Sequence, residues 1–103
     1  MALLNPILNE VRAEIQPDKL KEAGFPRPQR VSIIEGVNSD EEKAYYVYLV
    51  YPNRTPEAAL AWSNIEPMVS WVRKYVWDHT GQNTWPYVKV KREQELPPEL
   101  ANA

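Results

Sequence analysis

Cysteine is absent from the 103-residue sequence, and its absence excludes disulfide bonds, thiolate chemistry and zinc sites built on sulfur. There is also only one histidine, His79, so a metal site would have to be assembled from carboxylates. The acidic run at residues 40–42 lacks the glycine and the alternating ligands of a calcium loop, and we interpret it as a solvated turn. We therefore predict that the protein binds no metal.

Glycine is scarce as well. The three glycines are scattered along the chain, and none belongs to the glycine-rich loop that holds phosphate in the common nucleotide-binding classes. His79 lies beside Asp78, a pairing that can act as a base, but no nucleophile motif accompanies it. A histidine at that position also serves the end of a helix as a hydrogen-bond donor. We predict that the protein is not an enzyme and uses no cofactor.

Long hydrophobic runs and a dominant charge are missing too. No stretch approaches the ~20 apolar residues that span a bilayer, and the first fifteen residues carry Glu10, Arg12 and Glu14 instead of the apolar run of a signal peptide. The formal net charge of -2 gives no long-range field that would attract polyanions. We expect a cytoplasmic protein with no membrane partner, for which nucleic acid is possible but not favoured.

Helical spacing of apolar residues predicts three helices. The first covers residues 6–16 and the second residues 17–23, with Gly24 as a left-handed stop that places Phe25 against Leu20. The third begins near residues 55–57 and continues to about residue 80. Pro67 interrupts its pattern, and Ser63 with Glu66 forms a possible capping box. This segment is therefore either a short helix followed by a longer one or a single kinked helix.

Three segments have the composition of strands, at residues 31–37, 44–51 and 85–92, and the polar residues 38–43 join the first two as a hairpin. A right-handed crossover makes the last strand parallel to the second, beside either the second or the first strand. The predicted fold class is α+β, with the order α-α-β-β-α-β. A three-stranded sheet is packed by one long helix and the N-terminal helices. One domain spans residues 1–92, and residues 93–103 form a mobile acidic tail containing two prolines.

Aromatic residues are the most unusual feature that is present, with four tryptophans, six tyrosines and one phenylalanine. On the second strand, alternation sends Tyr46 and Tyr48 to one face and Tyr45 and Tyr51 to the other. Both faces of this strand are therefore apolar, although one long helix can cover only one of them. The other face must meet the N-terminal helices, a second subunit or a ligand.

Two functions are compatible with this pattern, beside the interpretation that the tyrosines are ordinary half-buried packing. In the first, the uncovered face or an open strand edge joins another chain, as a homodimer or with a protein partner. In the second, aromatic and basic residues of the sheet bind single-stranded nucleic acid or a small ligand. We predict the first, a non-enzymatic, self-associating interaction module. The residues expected to carry it are Tyr46, Tyr48, Trp71, Trp77, Trp85, Tyr87, Lys89 and Lys91.

Overall fold

Three helices and a three-stranded sheet form the part of the chain that the computed structural model describes, residues 6–80, 82 and 84–96. The elements follow the predicted order α-α-β-β-α-β and confirm a small α+β domain. They are α1 (Pro6–Glu14), α2 (Pro17–Glu22), β1 (Arg30–Val37), β2 (Lys43–Tyr51), α3 (Trp62–His79) and β3 (Trp85–Arg92), with single 3₁₀ turns at Glu57–Leu60 and Glu93–Glu95. None of these helices has the length and apolar character required to cross a membrane.

Helix α2 ends as its sequence predicts. Gly24 has a φ of 93°, in the left-handed region that glycine adopts without steric penalty. Its amide donates to the Lys21 carbonyl, and the next amide, that of Phe25, donates to the Leu20 carbonyl. These two bonds define a Schellman motif, which turns the chain out of the helix toward β1.

Of the two arrangements predicted for residues 55–80, the structure has the short helix followed by a longer one. The segment that starts at Glu57 is a separate 3₁₀ turn, and α3 begins at Trp62 and continues past Pro67 as one helix. The capping box of Ser63 and Glu66 does not form, because both residues lie inside the helix and the Glu66 carboxylate accepts a hydrogen bond from Ser70 instead.

The sheet has the order β1-β2-β3, so β2 is the central strand. Strand β1 is antiparallel to β2, with Ile33 opposite Val47, and β3 is parallel to β2, with Val88 beside Val47. The structure thus selects one of the two predicted arrangements. The last strand lies beside the second, and the sheet is mixed.

All three helices contribute to a core on one face of the sheet. The alternate residues of β2 that point to this face are Tyr45, Val47, Leu49 and Tyr51. They pack with Ile15, which follows α1, and with buried residues of each helix, which are Val11, Leu20, Ile65, Met68, Val72 and Val76. The N-terminal helices therefore share the layer of α3, and no helix of the described chain covers the opposite face.

The first four residues of the predicted tail are part of the fold. The turn Glu93–Glu95 places Leu96 against Val50 of β2, and the Arg30 guanidinium donates to Glu93 at 3.1 Å. The remainder of the predicted tail, residues 97–103, lies outside the described residues.

Candidate functional site

Five of the eight residues predicted to form an interaction surface share the face of the sheet opposite the helices. Tyr46 lies beside Tyr87, and Tyr48 lies beside Lys89, across the parallel pair β2 and β3. Lys91 lies beside Val50 in the same row. Partner residues on neighbouring strands point to the same side of a sheet, so these side chains form one surface, which we call the tyrosine face.

Tyr46 is held firmly within the tyrosine face. Its ring stacks on that of Tyr87, with centroids 5.4 Å apart and planes 18° from parallel. Its hydroxyl donates to the Val37 carbonyl at 2.8 Å. The ring also covers Gly36, where a Cβ atom would lie only 3.1 Å from Tyr46 Cε2. The absence of a side chain at Gly36 thus lets the aromatic ring lie flat on β1.

One end of the tyrosine face is covered by the residues that follow β3. Leu96 and Val50 are buried together, with Ile34 and Tyr48 packed against them. The sequence predicts a mobile tail here, because acidic residues and prolines surround Leu96, the single apolar residue that anchors the turn. The uncovered part of the tyrosine face is therefore the part around Tyr46, Tyr87 and Lys89.

Several basic groups around the sheet are already engaged with carboxylates. Arg30 pairs with Glu93 at 3.1 Å, and Lys43 pairs with Glu35 at 3.2 Å. The hydrogen bond that Lys43 donates to the Glu35 carboxylate raises the pKa of the Lys43 amine. Within the described residues, Lys89 is exposed and Lys91 half-buried, and neither has a carboxylate within salt-bridge distance.

Trp77 and Trp85 meet at the corner between α3 and the start of β3. Their ring centroids lie 5.8 Å apart, and the Arg73 guanidinium lies 5.7 Å from the centre of the Trp85 ring. The three side chains border a cleft of about 380 Å³. Trp85 remains 47% exposed, so this corner offers a large aromatic surface directly beside β3.

Trp71 does not join the surface predicted for it. It stacks on Tyr75, with ring centroids 5.6 Å apart, and it also contacts Phe25. Tyr75 in turn stacks on His79, whose Nδ1 atom lies 2.8 Å from the Tyr75 carbonyl. Burial, with a smaller effect from two carboxylates of α1, raises the pKa of Tyr75. This row lies on a different side of α3 from Trp77, and His79 contacts the last turn of the helix.

The outer edge of β1 is protected by a side chain from α1. The Arg12 guanidinium donates to the Ile33 carbonyl through Nε at 3.1 Å and through Nη2 at 2.5 Å. The backbone carbonyl of Ile33 therefore points away from β2. An incoming strand would have to displace the Arg12 guanidinium that is already bonded to it. Natural sheets commonly protect an edge in this way.

The outer edge of β3 can be identified from the alternation of backbone groups. The Val50 carbonyl accepts a hydrogen bond from the Gln29 amide and so points toward β1. Backbone groups alternate in direction along a strand, so those of Val47, three residues earlier, point toward β3. In a parallel pair, the backbone of Val47 bonds to the two residues on either side of its partner Val88. The N–H and C=O groups of Val88 itself therefore point outward, away from β2. The Arg92 amide belongs to the same outward set, and it donates to the Glu95 carboxylate at 2.6 Å.

This outward set leaves a short open edge. Pro86 has no amide hydrogen and is buried, whereas Val88 and Val90 are half-buried and each have an amide and a carbonyl on this edge. No hydrogen bond from a loop or turn of residues 6–80, 82 and 84–96 reaches these groups. We call the outward backbone groups of Val88 and Val90 the β3 edge. The spacing of residues in the sequence did not reveal which of the two edges would be open.

The acidic run at residues 40–42 forms a turn around Asn38. The Asn38 side-chain oxygen accepts hydrogen bonds from the amides of Asp40 and Glu42. Within the described residues, no group of three histidine, aspartate or glutamate side chains is arranged to hold a metal ion.

Comparisons of the chain with protein-family models, with curated proteins and with solved structures find no match.

Proposed function

We propose that this chain is a non-enzymatic protein-interaction module of the cytoplasm that self-associates through the uncovered aromatic face or the open strand edge of its sheet. The observation that carries the proposal is the one-sided packing of the helices. They occupy one face and protect the β1 edge, whereas the described residues leave uncovered the β3 edge, Trp85 and the part of the tyrosine face around Tyr46, Tyr87 and Lys89. An open strand edge next to an exposed tryptophan is a surface that a second chain can extend and cover.

The charges and stacking support a protein partner over nucleic acid. Arg30 and Lys43 are engaged by carboxylates, so little positive charge remains for phosphates beyond Lys89 and Lys91. The Tyr46 and Tyr87 rings stack on each other, and this contact removes one ring face of each from base stacking. A second copy needs neither a phosphate track nor free ring faces, because backbone groups and an aromatic anchor suffice.

Light scattering on the full chain tests self-association. We expect a mass approaching twice the chain mass of 12.0 kDa at high protein concentration. The Trp85→Ala variant should shift the chain toward 12.0 kDa, whereas Trp62→Ala should not. Trp62 is a matched control because it is 62% exposed and lies at the far end of α3 from Trp85.

Salt separates the two kinds of partner. The proposed dimer should persist or tighten as salt rises, because apolar burial strengthens and few ion pairs are involved. A labelled single-stranded oligonucleotide should show no binding that weakens steeply with salt, the behaviour expected of phosphate contacts. A chain that stays at 12.0 kDa at all concentrations contradicts the proposal, and so does salt-sensitive oligonucleotide binding by such a monomer.

A further inference from the structure

We infer that the second copy adds to the β3 edge as an antiparallel strand, with Val88 opposite Val88 of the second copy. This inference rests on the proposed self-association and specifies its geometry. The two sheets become one sheet of six strands. The two-fold axis runs perpendicular to the sheet through the Val88 pair, so both helix layers lie on the same side.

The backbone groups of the β3 edge favour this register. Val88 can exchange two hydrogen bonds with its counterpart, because both residues point outward. A shift that places Tyr87 opposite its counterpart brings Pro86 opposite Val88. The proline has no amide to donate, so fewer bonds form.

The side chains of the tyrosine face exclude the alternative shifts. In the inferred register, Tyr87 lies opposite Lys89 of the second copy, so this lysine meets an aromatic ring. Shifting the register in the other direction places Lys89 opposite Lys89 of the second copy. Shifting it one step further places Lys89 opposite Lys91 of the second copy. Like charges directly opposite each other are destabilising. The strand therefore complements itself in one register.

The absence of cysteine allows this geometry to be tested by single cysteines. Residues in a hydrogen-bonded antiparallel pair have Cα atoms ~5.5 Å apart, within the range that a disulfide spans. Val88→Cys should therefore form a covalent dimer on mild oxidation. Val90→Cys is the matched control, because it lies on the same strand and face but ~14 Å from its counterpart. Val37→Cys, at a position that is 66% exposed on β1, controls for random collision.

Val88 and Val90 lie on the face that the helices cover, so substituting them can disturb the core. A second pair of variants uses the tyrosine face instead. A mixture of Tyr87→Cys and Lys89→Cys should cross-link at least ten times faster than either variant alone. Residue 87 faces residue 89 of the other copy, so two cysteines face each other only in a mixed dimer. Equal cross-linking of Val88→Cys and Val90→Cys would overturn the register. A chain that forms dimers by mass but cross-links at none of these positions would overturn the edge contact and leave the proposed function intact. A chain that is monomeric throughout would overturn both.

Discussion

Tyr51 links the stability of the fold to alkaline pH. Its side chain is only 3% exposed, beneath α3. Its hydroxyl donates to the Pro26 carbonyl at 2.8 Å and lies 3.3 Å from Met68 Sδ. Burial raises the pKa of Tyr51 from 10.0 to about 12. Because the folded pKa is the higher one, the neutral phenol contributes its full stabilisation below pH 10, and the contribution is lost as the pH rises from 10 to 12.

The expected magnitude follows from that pKa difference. A change from 10.0 to about 12 corresponds to about 2.7 kcal/mol of unfolding free energy at 1.36 kcal/mol per pH unit. Relaxation of the protein around the charged ring reduces this, so we expect the wild-type chain to lose about 2 kcal/mol through Tyr51. The Tyr51→Phe variant should be about 1–2 kcal/mol less stable at neutral pH, because the half-buried Pro26 carbonyl loses its donor.

Urea unfolding between pH 7 and 12, followed by tryptophan fluorescence, measures both effects. The difference in unfolding free energy between wild type and Tyr51→Phe should shrink through the alkaline range and vanish or reverse near pH 12. Tyr46→Phe is the control, because it also removes a hydroxyl bonded to a carbonyl, but at an exposed position. If Tyr51→Phe keeps the wild-type alkaline decline, then burial of this phenol does not control it and the reasoning fails.

Two further variants test how the sheet is built. Gly36→Ala should lower the unfolding free energy by about 1 kcal/mol in urea titrations, because the added Cβ displaces the Tyr46 ring. Replacing glycine by alanine in a strand usually has the opposite effect and stabilises it by ~0.5–1 kcal/mol. An unchanged or raised stability would show that the ring moves freely. Arg12→Ala should cost about 1.5–3 kcal/mol and produce species larger than a dimer in light scattering, because it frees the Ile33 carbonyl on the β1 edge. Arg27→Ala, which breaks an exposed pair, should do neither, and a strictly dimeric Arg12→Ala variant would contradict this role.

The element order could be predicted because several local signals agreed in each segment. The stop at Gly24 combined a left-handed glycine with an apolar residue after it, and the structure has both bonds of the motif. The start of α3 was less predictable because two candidate starts follow each other closely. Ser63 had the right spacing to Glu66, but the preceding 3₁₀ turn sets the helix start at Trp62. Local spacing alone does not decide between competing starts.

The candidate site was predictable where it depends on alternation and unpredictable where it depends on distant contacts. Tyr46, Tyr48 and Tyr87 share a face because of strand periodicity. Helical spacing also predicts that Trp71 and Trp77 lie on different sides of α3, because a separation of six residues corresponds to ~1.7 helical turns. In contrast, Leu96 finds Val50 only through the turn after β3, and nothing in its neighbourhood indicates that contact.

The difference between the two edges bears on how the proposed assembly ends. A sheet with two open edges can add copies head to tail without limit, because each addition presents a new edge. In this chain Arg12 occupies the β1 edge, so a copy docked on β3 offers only another protected edge outward. Pairing of β3 with itself consumes both open edges and closes at two copies. A single arginine on α1 thus determines whether the proposed sheet ends at six strands or continues to grow.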